Sequence, residues 1–156
     1  MTSEPKQDDA MMQMPVIPGV LREGLSDIRN ADTTKLAYIG DAVYEVFVRM
    51  RSVENCGRHA GDMNRYSVRL VRAGSQALAA KELAEGFYTD EETALFKRAR
   101  NRTNTTHPRG ATPAEYKLAT GFEAVIGWLY IKGDTGRLAE VVNEAVRIIE
   151  DKSDER

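Results

Sequence analysis

The chain has little of what marks a specialised class of protein. It has one cysteine, Cys56, so it cannot form an internal disulfide or a zinc site from its own cysteines. No apolar run reaches the roughly 18 to 20 residues of a membrane span. The net charge is only −2, with 42% apolar and 29% charged residues. These values exclude a disordered or collagen-like chain, and 156 residues suit one compact domain.

The N-terminal segment lacks the pattern of a secretory signal. It is acidic at its start, carries prolines at positions 5, 15 and 18, and has no basic start followed by an apolar run. We therefore expect a cytoplasmic protein. We expect residues 1–18 and 151–156 to be flexible tails, and residues 19–150 to form one folded domain.

Apolar residues recur at helical spacing along most of the chain. One stripe, for example, joins Leu36, Ile39 and Val43 at intervals of three and four residues. No segment alternates apolar and polar residues for long, so we predict an all-α fold without internal repeats. The predicted helices cover residues 34–51, 60–84 (one or two helices, with a possible break at Gly74), 89–101, 113–133 and 135–150. The candidate N-caps are Asp32 or Thr33, Thr89, and Thr112 before Pro113.

The cations are concentrated in two segments, although the whole chain is nearly neutral. Residues 49–72 contain six arginines against Glu54 and Asp62, and residues 97–117 contain six cations against Glu115. A protein of small net charge can still present one positive face to a polyanion such as a nucleic acid. The alternative is a set of scattered, solvated arginines.

Residues 101–113 form a predicted loop with basic flanks. The sequence NRTNTTHPRGATP has two prolines, a glycine, many hydroxyl and amide donors, and almost no apolar residue. This composition suits contacts to phosphate and sugar, and the alternative is a solvated loop. The candidate nucleic-acid-binding residues are Lys97, Arg98, Arg100, Asn101, Arg102 and Thr103.

Two carboxylates stand inside apolar helical segments, Asp41 in LAYIGDAVYE and Glu123 in GFEAVIGWLY. A carboxylate without a partner is costly there, so we expect a surface, a hydrogen-bonding partner or a cation. Each lies near a glycine, Gly40 or Gly121, which permits close approach to the backbone. Two acids from different helices at one spot suit Mg²⁺, which binds one or two carboxylates and keeps water and phosphate ligands. The alternative is that both are surface or hydrogen-bonded structural groups.

Three motifs resemble the ribonuclease III family and occur in its order. LAYIGDAVYE is similar to the signature helix of the family, and GDMNRYSVRLVRAGSQALAAKELA to the segment that follows it. The sequence from KRARN through TTHPRGATPAEYKLATGFEAVIGWLY resembles the later part of the catalytic domain. The likeness covers roughly residues 32–150. The short chain points to the Mini-ribonuclease III branch, which lacks a separate double-stranded-RNA-binding domain.

The resemblance implies an all-α, homodimeric, Mg²⁺-dependent endonuclease that cuts double-stranded RNA. Asp41 and Glu123 fall on the essential aspartate and glutamate of the family, which makes them the candidate catalytic residues and Mg²⁺ ligands. The implied reaction is phosphodiester hydrolysis that leaves 5′-phosphate and 3′-hydroxyl ends. The implied role is maturation of the ends of large-subunit (23S) ribosomal RNA precursors. Without a second RNA-binding domain, segment 97–110 is the best candidate for contacts in an RNA groove.

The sequence departs from the family pattern around the metal. Thr34, Ala37 and Thr120 stand at positions that are usually acidic in full-length members. Mini-ribonuclease III is similar in this reduction. We therefore expect a weaker metal site with more water ligands, and the sequence leaves one or two metal ions open.

Several other residues have both a structural and a functional interpretation. Glu45 lies one turn after Asp41 and either orients a water or pairs with Arg49, and we favour the ion pair. Ser75 and Gln76 follow a glycine and are candidates for lining the site. The groups interpreted as core, dimer-contact or surface residues are Tyr38, Tyr44, Trp128, Cys56, His59 and His107.

Three functions compete on the sequence alone. The first is a Mg²⁺-dependent endonuclease of double-stranded RNA. The second is a catalytically silent RNA-binding or ribosome-assembly factor of the same fold, which has no need of both Asp41 and Glu123. The third is a helical structural protein, which predicts no salt-dependent binding of RNA.

Overall fold

The structure, a computed structural model, describes residues 32–56, 59–102 and 110–154. These residues form helices and no strand, which confirms the predicted all-α fold. The helices are α1 (Thr33–Asn55), α2 (Ala60–Val71), α3 (Ala73–Ala84), α4 (Asp90–Arg102), α5 (Pro113–Lys132) and α6 (Thr135–Asp154). The predicted tail 1–18 and most of the loop 101–113 lie outside the described residues.

The helix ends follow the local signals in the sequence. Asp32, rather than Thr33, caps α1, because its carboxylate accepts from the Thr34 backbone N–H at 2.9 Å. Thr112 caps α5 in the same way through its hydroxyl oxygen, 3.1 Å from the backbone nitrogen of Glu115. α5 ends at Gly133, whose φ of 81° is left-handed and favours glycine.

Three helix boundaries differ from the prediction, the first being the end of α1, at Asn55 instead of residue 51. Segment 60–84 forms two helices, and the break lies at Arg72 rather than at Gly74. The extended Arg72 backbone ends α2, and its carbonyl then accepts from the backbone N–H groups of Ser75 and Gln76 in the first turn of α3. α6 continues to Asp154, past the expected end at residue 150, since no glycine or proline follows to stop it.

α5 is the central helix and packs against α1, α3, α4 and α6. Its buried residues are Ala119, Gly121, Phe122, Ala124, Val125, Ile126, Gly127 and Leu129. Tyr44 of α1 meets Phe122 edge to face, with ring centroids 5.0 Å apart, and its hydroxyl donates to the Leu70 carbonyl at 2.8 Å. The buried hydroxyl is thus satisfied where α1, α2 and α5 meet. No helix in the described part of the chain is long and apolar enough to cross a membrane.

Candidate active site

Helices α1 and α5 cross with their backbones in contact at two glycines. A Cβ on Gly40 would lie 1.7 Å from the Glu123 carbonyl oxygen, and one on Gly127 would lie 2.0 Å from the Leu36 carbonyl oxygen. No side chain fits between the helices at these points. Asp41 follows Gly40, and Glu123 supplies the contacted carbonyl. The crossing therefore brings together two acids that lie far apart in the sequence.

Asp41 and Glu123 line one cleft with a volume of about 1110 Å³. The cleft is bounded by α1, the turn between α2 and α3, α5 and the end of α6. The three neutral residues that depart from the family pattern line it as well. Its polar and charged lining residues are Thr34, Tyr38, Asp41, Arg69, Arg72, Ser75, Gln76, Glu115, Tyr116, Thr120, Glu123, Lys152 and Ser153.

The two acids both have raised pKa values. Desolvation raises the pKa of half-buried Glu123 to about 8, the negative charge of Asp41 adds to the rise, and a hydrogen bond from Gln76 opposes it. Partial desolvation, followed by the charge of Glu45, raises the pKa of Asp41. Neither acid forms an ion pair with a described residue. Two like charges without a basic partner are typical of a functional site rather than of a structural ion pair.

The donor atoms of the cleft suit a hard cation. Within residues 32–56, 59–102 and 110–154, no cluster of three or more His, Cys, Asp or Glu side chains could hold a metal ion. Asp41 and Glu123 remain as a pair, with the Gln76 amide in the same cleft lining, whereas the third carboxylate of the lining, Glu115, does not complete a cluster of three with them. Mg²⁺ accepts so few protein ligands because it keeps several waters, whereas metals that prefer sulfur or imidazole find no ligand of their kind here.

Arg69 and Arg72 also line the cleft. The sequence of segment 49–72 does not single them out from its other arginines. Arg72 Nε donates to Ser75 Oγ at 3.0 Å, and the Arg69 guanidinium lies 5.7 Å from the centroid of the Tyr66 ring. Neither forms an ion pair with any residue that the structure describes. Their positive charge suits a phosphate held beside the carboxylates. The signal in the sequence was the helical spacing of Arg65, Arg69 and Arg72 along one face.

Residues 34–134 match the model of the ribonuclease III domain, a range that includes both cleft acids and the cleft arginines. The chain belongs to the ribonuclease III family. It is 42% identical over 115 residues to the Mini-ribonuclease 3 of Symbiobacterium thermophilum, which covers 74% of this chain and 88% of that protein. It is 34% identical over 128 residues to the Mini-ribonuclease 3 of Clostridium tetani, which covers 81% of this chain and 84% of that protein.

The fold of this ribonuclease III domain is also that of a solved structure. The crystal structure of a protein from Fusobacterium nucleatum superposes with a TM-score of 0.69 at 31% identity. The match covers 78% of this chain and 96% of the other. The resemblance drawn from the three motifs is thereby confirmed, and as a member of this family the chain is an endoribonuclease.

Those predicted RNA-binding residues of the ribonuclease III domain that the structure describes lie on the last turns of α4, outside the cleft lining. Arg102 pairs with Asp32, the N-cap of α1, at 3.8 Å. Thr34, two residues further along, lines the cleft, so this end of α4 lies beside the N-terminal end of the cleft wall. The described members are Lys97, Arg98, Arg100, Asn101 and Arg102, and Thr103 lies outside the described residues.

The remaining candidate residues divide between the cleft and the rest of the molecule. Glu45 pairs with Arg49 at 2.9 Å, which confirms the favoured interpretation. Ser75 and Gln76 line the cleft as proposed from the sequence. The others lie elsewhere or outside the description: Tyr44 in the core, Trp128 half-buried beneath the Lys132 ammonium, Cys56 half-buried, His59 exposed, and His107 outside the described residues.

Proposed function

We propose that the chain is a Mg²⁺-dependent endonuclease of double-stranded RNA, with Asp41 and Glu123 as its catalytic residues. The observation that carries this proposal is the crossing of α1 and α5, which places two unpaired carboxylates in one cleft with Arg69 and Arg72. A catalytically silent binding protein gains nothing from two acids that repel each other and the RNA. The arrangement therefore favours hydrolysis over binding alone.

The proposed division of labour follows from the charges. Asp41 and Glu123 would hold Mg²⁺, which when bound supplies an activated water and offsets charge on the phosphoryl oxygens. Arg69 and Arg72 hold the RNA backbone, because a guanidinium can grip a phosphate with two donors. Glu123 must lose its proton before the pair can hold a divalent cation. Cation affinity is therefore expected to rise with pH up to about 8, the pKa of Glu123.

RNA recognition in this proposal depends on shape and backbone rather than on base sequence. A-form duplexes present phosphates and 2′-hydroxyls across a shallow minor groove. The end of α4 offers donors for such contacts beside the cleft, from Lys97, Arg98, Arg100, Asn101 and Arg102, and we propose Thr103, outside the described residues, as a further RNA-binding residue. By similarity to the relatives named Mini-ribonuclease 3, we propose precursors of large-subunit (23S) ribosomal RNA in the cytoplasm as the substrate.

The direct test is incubation of the purified protein with a long RNA duplex, with and without Mg²⁺. We expect discrete staggered cuts that require Mg²⁺ and vanish in Asp41→Asn. Glu45→Gln is the matched control, because Glu45 lies one turn further on α1 and its described partner is Arg49. Its cleavage rate should stay close to that of the wild type. Duplex binding without cleavage under any divalent ion would support the silent RNA-binding factor instead.

We further propose that the enzyme acts as a homodimer through an exposed apolar face of α1. Tyr38, Met50 and Val53 are 83%, 51% and 66% exposed, and Val46 between them is 43% exposed. At 100° per residue these four positions fall on one side of the helix. An exposed apolar patch of this kind typically marks an interface, and a second copy brings a second cleft for the other RNA strand.

Light scattering on a size-exclusion column tests this dimer. Val53→Asp places a charge on the proposed interface, and we expect the mass to fall from that of two chains to that of one. Val68→Asp is the matched control, because Val68 is 50% exposed but belongs to α2 rather than to α1. A monomeric wild type, or equal effects of the two variants, would contradict the proposed interface.

A further inference from the structure

Gln76 is buried in the cleft wall and is incompletely hydrogen-bonded. It is 2% exposed and lies in the first turn of α3. Its Nε2 donates to the carbonyl oxygen of Val71 at 2.8 Å. A carbonyl only accepts, so this bond establishes which end of the amide is the nitrogen. The other end, Oε1, has no hydrogen-bond partner among the described residues.

The chemistry of an amide oxygen limits what the missing partner can be. Oε1 can only accept a hydrogen bond or bind a cation. Most buried polar atoms in native proteins have a partner, and those that lack one often face a water, an ion or a ligand. Because the side chain is almost out of solvent contact, a water that satisfies Oε1 must be held at the wall of the cleft.

The neighbours of Gln76 decide among these partners. Gln76 lines the same cleft as Asp41 and Glu123, and its amide lies near enough to the Glu123 carboxylate to oppose the rise in the pKa of that acid. The two carboxylates have no cationic partner among the described residues, so the ligand expected at this wall is positively charged. The hydroxyl of Thr120, on the same wall, is engaged with the Tyr116 carbonyl oxygen at 2.9 Å. A hydrated divalent cation offers charge to the carboxylates and water protons to Oε1 together.

We propose that Gln76 is the third protein oxygen of this site, its Oε1 accepting a hydrogen bond from a water of the divalent cation that Asp41 and Glu123 hold. Its Nε2 ties the side chain to the end of α2, so the oxygen is held in place before the cation arrives. Gln76 is thus a positioning residue for the hydrated cation. The inference rests on the proposed function, because the cation is the one proposed there.

Binding of Mn²⁺ to the RNA-free protein, followed by the electron paramagnetic resonance of the free ion, tests this role without cleavage. Gln76→Leu removes both polar ends of the side chain, whereas Gln76→Glu keeps an oxygen but loses the Nε2 donor. Ser75→Ala is the matched control. It removes the hydroxyl that bonds to the Arg69 carbonyl oxygen and accepts from Arg72, one residue away in the same turn. Thermal unfolding of each variant verifies the fold.

We expect the Mn²⁺ dissociation constant to rise at least tenfold in Gln76→Leu, which is typical of groups that hold metal ligands in place. It should be near or below the wild-type value in Gln76→Glu and unchanged in Ser75→Ala. A merely structural role predicts that Glu fails as Leu does, since both lose the bond to Val71. If Gln76→Leu does not fold, the Mn²⁺ dissociation constant of Gln76→Glu decides alone. A value near or below that of the wild type supports the proposal, and a large increase overturns it.

The failures of the two proposals are distinguishable. Wild-type affinity in Gln76→Leu, together with loss of binding in Asp41→Asn, overturns the role of Gln76 and leaves the proposed function intact. A wild-type protein that binds no more Mn²⁺ than Asp41→Asn overturns both.

Discussion

Two glutamates in the helices of this domain differ in what surrounds their carboxylates. Glu92 of α4 is 2% exposed, and it accepts from Arg137 Nε at 2.9 Å, from Arg137 Nη2 at 2.8 Å and from the Thr89 backbone N–H at 3.1 Å. For Glu123 of α5 the described residues supply no cation, only the nearby Gln76 amide, and it faces the negative charge of Asp41. A charge removed from water is stable where partners replace the water, and only Glu92 has them. The comparison separates an acid that holds the fold together from an acid kept ready for a ligand.

The partners of Glu92 are themselves tied into the fold. Arg137 of α6 also donates to the Phe87 carbonyl at 2.7 Å and to Glu140 at 3.0 Å. The hydrogen bonds to Glu92, first, and to Glu140 raise the pKa of Arg137 further above its ordinary value. The cluster joins the start of α4, the turn before it and the start of α6. It contains no group that is free to bind a ligand within the described residues.

The largest expected effect is on stability, from removing the partner of Glu92. Arg137→Leu leaves a buried carboxylate without its cation, and we expect a loss of about 3 to 5 kcal/mol in the free energy of unfolding. Urea denaturation followed by circular dichroism measures it. The RNA cleavage rate per folded molecule should be close to that of the wild type, because the cluster lies outside the cleft lining.

Arg147→Leu, on the same helix, is the matched control for this substitution. Arg147 pairs with Glu144 and Asp151 on the surface, and exposed ion pairs contribute little to stability. A loss in Arg147→Leu as large as that in Arg137→Leu would show that the burial of Glu92 is not the cause.

The next largest effect is the pH dependence of the free energy of unfolding that Glu123, unlike Glu92, is expected to cause. The folded pKa of Glu123, about 8, lies above its ordinary 4.5, so the folded state binds more protons than the unfolded state between these values. The free energy of unfolding therefore falls as pH rises through this window, and the loss is complete above about pH 8. Glu123→Gln removes the cause. We expect the free energy of unfolding of this variant to match that of the wild type near pH 4. Near pH 9, without divalent ions, it should be higher by on the order of 2 kcal/mol.

Glu92→Gln is the opposing variant in the same urea titrations. It deprives Arg137 of its buried counter-charge, so we expect it to be less stable than the wild type at neutral and alkaline pH. If Glu123→Gln is also less stable than the wild type near pH 9, the proposed difference between a structural Glu92 and a functional Glu123 is wrong.

Local features of the fold were predictable, and contacts between distant segments were not. The reciprocal hydrogen bonds of Thr89 and Glu92 follow from an N-cap residue and an acid three positions later in the sequence. Asp41 is recognisable as a candidate site residue because it interrupts an apolar run. The partner of Glu92 lies 45 positions further along, so only packing reveals it. Gly121, expected to permit close approach to the backbone, is approached by the Phe96 ring of α4, where a Cβ would lie 2.6 Å from the ring, and the sequence did not reveal that this segment would be the one.

The last and smallest effect concerns arginines, which differ in the same way as the two glutamates: some have ion-pair partners and some do not. Arg137 and Arg147 have carboxylate partners, whereas Arg69 and Arg72 at the cleft have none among the described residues. In an Asp41→Asn background that does not cut, we expect Arg69→Ala with Arg72→Ala to weaken duplex RNA binding by roughly tenfold at moderate salt. The slope of log affinity against log salt should flatten by about 1 to 2, since each lost phosphate contact releases about one counterion fewer. Fluorescence anisotropy over a range of KCl concentrations measures both.

Two further variants in the same background locate the RNA surface. Arg147→Ala removes a cation of α6 that already has carboxylate partners and is not part of the cleft lining, so its salt slope should equal that of the parent. Lys97→Ala with Arg100→Ala tests the exposed end of α4 separately. A flatter slope in this pair alone would mean that the duplex lies over α4 and that the cleft arginines serve the fold. Unchanged slopes in both pairs would contradict each proposed RNA contact, because a polyanion cannot bind a surface through cations whose removal leaves counterion release unchanged.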